Sequence, residues 1–150
     1  MHRKMLPVAL MYACDQEPIE GRTRLQKMVF LMQKHFESVD KEVLSSDDYE
    51  FIAYDYGPFS KELYEDLDSL SDQNQIEDSQ EELSEDKVKY IYSIQRRGED
   101  LFETQLNQEE VQKTLRVAEE IKEEYNDMLL SQLIEEVYAR YPNYAKNSIY

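Results

Sequence analysis

Tyr90-Ile91-Tyr92-Ser93-Ile94, running on through Arg96-Arg97-Gly98-Glu99-Asp100-Leu101, decides the fold. Across residues 87–94, Val88, Tyr90, Tyr92 and Ile94 alternate with Lys89 and Ser93, and only Ile91 interrupts the polar face. A period of two is the signature of a strand with one face buried. Gly98 is expected to permit a backbone reversal after the strand, and a short helix is expected over 99–106. A second strand is expected around Ile76, joined to the first by an acidic loop.

Upstream, the periodicity predicts a helix over 4–14, with Pro7 tolerated in its first turn and Cys14 packed in its core. A loop with Pro18 and Gly21 follows, then a helix over 23–36 striped by Leu25, Met28, Val29, Met32 and Phe36. Residues 49–56 read as an aromatic extended segment broken by Gly57-Pro58, and Ser60 reads as the N-cap of a helix over 61–70. Helix, helix, short strand, helix, strand, acidic turn, strand is the order of a winged helix-turn-helix. The expected class is therefore mostly α with a small β-hairpin, a winged helix-turn-helix over 1–106 with a C-terminal helical extension over 107–150. Within the extension, Asn107 and Glu110 suggest a capping box, and helices are expected over 108–126 and 128–141. Their stripes, Val111, Leu115, Ala118 and Ile121, then Leu130, Leu133, Ile134 and Val137, are expected to pair two copies into a homodimer.

The charge is lopsided. Net charge is −16, and ten acids with no base lie between Glu65 and Asp86. Between Arg22 and His35 the reverse holds, with Arg22, Arg24, Lys27 and Lys34 and no acid. Such a field opposes casual binding to nucleic acid or anionic membrane. No apolar run approaches a membrane span and no signal-type segment is seen, so a cytoplasmic protein is expected. A single cysteine offers no disulfide. No enzyme is expected: the three glycines, 21, 57 and 98, make no phosphate loop. His2 and His35 lack metal-ligand spacing, and Ser60 has no histidine nearby in sequence to activate it. No cofactor is expected.

Arg22-Thr23-Arg24-Leu25-Gln26-Lys27-Met28-Val29-Phe30 together with Tyr56-Gly57-Pro58-Phe59-Ser60-Lys61-Glu62-Leu63 resembles the paired motifs of the YwgA-like proteins. It is more distantly similar to the SocA-type antitoxin (Panacea) domain. The resemblance spans about 20–105, with weaker similarity over 138–148. It implies a winged-helix-like scaffold and, from the antitoxin relatives, a partner protein; it brings no catalytic residues.

Two targets remain open, DNA and a protein partner. The basic set Arg22, Arg24, Lys27, Lys34, Arg96 and Arg97 is the candidate face for either, and Tyr56, Gly57, Pro58 and Phe59 form a candidate partner-binding corner. Against DNA stands the helix over 61–70, where Glu62, Glu65, Asp66 and Asp68 face a lone Lys61.

Overall fold

A computed structural model describes residues 1–44 and 47–149. The chain is mostly helical with two small antiparallel sheets. Its elements run α1 (Met5–Gln16), β1 (Ile19–Glu20), α2 (Arg22–Ser38), β2 (Ile52–Tyr54), β3 (Gly57–Phe59) and α3 (Lys61–Asp72). They continue β4 (Ile76–Ser84), β5 (Lys87–Ile94), α4 (Arg96–Glu103), α5 (Glu109–Tyr125) and α6 (Leu130–Arg140).

α2 is the axis of the molecule. Every residue from Leu25 to Gln33 is buried, because α1, α5, α6, β1 and β3 all pack on it. Two glutamines two turns apart tie the passing chain to its surface. Gln26 Nε2 donates to the Ser60 carbonyl (2.9 Å) and its Oε1 accepts from the Ser60 amide (3.0 Å). Gln33 makes the same double bond with Tyr49 at 2.7 and 2.8 Å. Each side-chain amide thus completes a buried backbone group that would otherwise be costly to leave unpaired. Ser60 Oγ accepts from the Leu63 amide at 3.3 Å, so the expected N-cap starts α3.

β5 sits centrally in the sheet β1-β5-β4, antiparallel to both neighbours. The stretch read as an acidic loop belongs to β4 as far as Ser84, because pairing with β5 supplies its hydrogen bonds and sets Glu81 opposite Lys89. Gly57-Pro58 likewise does not end the extended segment but forms β3, paired with β2 across a turn at Asp55-Tyr56. Gly98 lies inside α4, so it serves close approach, not reversal: a Cβ there would run into the Gln75 carbonyl oxygen. That carbonyl accepts from the Gln95 amide at 2.9 Å, which pins α4 to the end of α3.

α1 loses helical geometry at Ala13, and Cys14, Asp15 and Gln16 have φ of 54°, 57° and 61°. Cys14 is therefore half-buried in a strained bend and not in the core of a continuous helix. The freed carbonyls are met from α5, where Lys122 Nζ donates to Ala13 O (2.8 Å) and Met11 O (3.4 Å).

The C-terminal helices complete the same core. α5 packs on α1 and α2, and Val111, Ala118, Leu133, Ile134 and Val137 are each no more than 1% exposed within the one chain. These stripe residues are already covered, which removes them as the dimer seam; of the eight, Leu130 alone is exposed, at 39%, with Leu115 and Ile121 half-buried. The expected capping box is absent too, since Gln108 is the N-cap of α5 and makes no side-chain cap bond. Among the described residues, no helix is long and apolar enough to cross a membrane.

Candidate functional site

Lys27 belongs to the basic set by sequence, yet it is 2% exposed. Its ammonium lies beneath the β2–β3 hairpin, next to a cavity of about 200 Å³. α2 gives Thr23, Gln26 and Lys27 to the wall, the hairpin gives Tyr54 through Phe59, and α3 gives Tyr64. Rings dominate one side: Phe59 stands 5.0 Å from Tyr54 and 5.3 Å from Tyr64.

Gly57 makes the arrangement fit. Its φ of +105° suits glycine, and a Cβ there would sit 2.9 Å from Tyr138 Cε1 and 3.6 Å from Lys27 Nζ. The tail holds the hairpin from outside, with Asn147 Nδ2 donating to Ala53 O (3.0 Å) and the Ile149 amide to Asp55 O (2.9 Å). Tyr138 donates to Ser148 Oγ at 2.6 Å from the last helix.

Among the described residues, Lys27 has neither a hydrogen bond nor an ion pair. Burial alone lowers its pKa, from 10.5 to about 8, with no charged neighbour offsetting it. Lys122 falls to about 8 for the same first reason, but two carbonyls accept from it.

The rest of the basic set does not gather on one exposed face. Arg22 lies 3.7 Å over the Tyr90 ring and 4.9 Å over Tyr64, with Asp78 at 3.8 Å. Arg24 donates to Tyr125 O at 2.6 Å. Lys34 pairs with Glu37 at 3.0 Å and lies over Phe30, Tyr141 and Tyr144. Arg96 and Arg97 are exposed at the start of α4. Of the corner residues, Gly57 and Pro58 are buried, Phe59 is half-buried, and Tyr56 is 43% exposed.

Two of the five acids on α3 also turn inward. Arg3 Nε bonds Asp66 at 2.9 Å and Arg3 Nη1 bonds Glu62 at 3.2 Å, while Tyr49 donates to Asp66 at 2.8 Å. The charges α3 exposes to solvent are Lys61, Glu65, Asp68 and Asp72.

Sequence reading missed Thr23, Gln26, Tyr54, Asp55 and Tyr64 as cavity residues. No signal in α2 set them apart, because Thr23 and Lys27, one turn apart, share the helix with Arg24, Gln33 and Lys34.

The architecture is a set of helices packed around a central helix, α2, with a hairpin folded over the buried Lys27. A family model for the antitoxin SocA-like, Panacea domain matches residues 25–148, and the chain belongs to that family. No curated protein matches the sequence.

Proposed function

We propose that this chain is a non-enzymatic, antitoxin-like module that binds a partner protein, with a winged-helix scaffold as its frame. The family match over 25–148 carries the reading, because it spans the hairpin, the acidic β4–β5 arm and both C-terminal helices. The arm supports a basic partner. Glu77, Glu81, Glu82, Glu85 and Asp86 are exposed on it, and Leu83 (59%) and Val88 (46%) stand out as apolar anchors among them. Charge complementarity of this kind raises association rates and selects partners more than it adds raw affinity.

The test is co-expression with the product of a neighbouring gene that arrests growth. The expected result is relief of arrest and a co-purifying complex, both lost in a variant with Glu81, Glu82 and Glu85 changed to Lys. Unrelieved arrest with no complex would sink the reading.

One observation favours DNA as a second reading. Sheet order β1-β5-β4, with α3 leading into β4, is compatible with a winged helix-turn-helix. A gel-shift titration against genomic duplexes separates the two.

A further inference from the structure

We infer that the cavity between α2 and the β2–β3 hairpin is a carboxylate-binding site whose anchoring group is the ammonium of Lys27. This goes beyond the antitoxin-like reading and does not depend on it.

An ammonium drawn largely out of water with no partner carries a desolvation penalty of several kcal/mol, which a ligand of opposite charge beside it would offset. Among the described residues no group compensates: burial lowers Lys27 from its ordinary value to about 8. At neutral pH the group still carries its proton, so the hollow beside it presents a positive charge in low dielectric. Gly57 keeps the approach to Nζ open, since any Cβ would stand 3.6 Å from it.

The walls choose the anion. One cation cannot neutralise a doubly charged phosphate, and among the described residues the other charged group on the wall is the acid Asp55. Gln26 is committed to Ser60 by both its amide atoms. Tyr54, Pro58, Phe59 and Tyr64 favour an apolar body behind the charged head. A singly charged carboxylate on a small apolar stem matches all of these, whether free or carried at the end of a peptide. The titratable groups facing Lys27 are Tyr54, Asp55, Tyr56, Tyr64 and Tyr138; burial raises Tyr64 above its usual value.

The experiment follows the Lys27 Cε–Hε resonances in full-length protein carrying ¹³C-lysine. Four probes are titrated: sodium propionate, acetyl-Ala-Leu with a free C-terminal carboxylate, the same peptide amidated, and inorganic phosphate. We expect saturable shifts with the first two and none with the last two. Tighter binding of propionate points to a free metabolite, and tighter binding of the peptide points to a chain terminus; either supports the site. Affinity should fall about tenfold per pH unit above the Lys27 pKa, because the bound form needs the proton. Lys27→Met should weaken binding at least tenfold and remove the pH dependence, and Lys27→Arg should keep part of the affinity. Saturable binding of phosphate or of the amidated peptide would overturn the assignment. So would an unperturbed Lys27 titration near 10.5, or carboxylate binding that survives in Lys27→Met.

Discussion

Lys27 and Lys122 are both buried, both lowered to about 8, and differ in what their ammonium touches. Lys122 caps the broken end of α1, so Lys122→Met strands two buried carbonyls and should destabilise the fold by about 1–3 kcal/mol. Lys27 holds nothing together, and Lys27→Met removes an uncompensated charge. It should raise the melting temperature at pH 7, corresponding to about 0.5–2 kcal/mol, as relief of a functional site commonly does. Equal destabilisation in both variants would make Lys27 a structural residue. The two lowered pKa values also set a pH dependence. Between pH 8 and 10.5 the unfolded chain binds more protons than the native one, so stability rises with pH across that window. Above about pH 10 the sign reverses, because burial raises Tyr49, Tyr92 and Tyr125, the last to about 12. Thermal melts from pH 7 to 11 should therefore show a maximum near pH 10, with a smaller rise in Lys27→Met.

At the scale of elements, the two double-bonded glutamines and two glycines fix how strands and helices meet α2 and α3. Gln26→Leu leaves the Ser60 amide buried without its partner and removes one bond from the Ser60 carbonyl, and should cost about 1–3 kcal/mol in a denaturant melt, against a few tenths for an exposed glutamine such as Gln73. Gly98→Ala should cost more than Gly57→Ala, because at Gly98 the obstacle is backbone and at Gly57 it is the edge of a tyrosine ring. Helix positions and the β5 strand were legible because their periodicity depends on burial that neighbours in sequence share. β4 was not, since Glu77 to Ser84 is polar on both faces and is a strand only because β5 lies beside it. The basic set failed for the same kind of reason. Arg24 and Lys27 look like a surface face until α6 and the hairpin are laid over α2, and nothing in their own helix announces that cover. The Gly57-Pro58 motif, in contrast, was recognisable as a resemblance, although its role beside Lys27 emerges only from the approach of Tyr138.

For the whole molecule, placing the charges changes the argument about its target. By sequence the helix over 61–70 carried a net −3, but Glu62 and Asp66 are spent on Arg3, and α3 as formed shows solvent three acids, Glu65, Asp68 and Asp72, and one lysine. α3 alone is thus a smaller barrier to DNA than its sequence suggested. The barrier is the β4–β5 arm, where five exposed acids face Lys87, while Lys89 is held by Glu20 at 2.9 Å. A winged-helix protein on duplex DNA brings its arm beside the phosphates, and each acid there opposes the counterion release that drives binding. The same crowding makes the arm repel itself, so the melting temperature should rise as salt goes from about 10 mM to about 500 mM. The internal cations cannot help bind DNA: Arg22, Arg24 and Lys34 hold rings, a carbonyl and an acid, and Lys27 is enclosed. Of the candidate basic set Arg96 and Arg97 remain exposed, and a face built on those two arginines supplies only a shallow salt dependence, with a slope of about −2. No duplex should therefore bind more tightly than about 1 μM at physiological salt. Fluorescence anisotropy against genomic fragments checks this. A sub-100 nM site whose affinity is lost on substituting Lys61 and Glu65 would return the protein to the DNA readers and leave the acidic arm without a role.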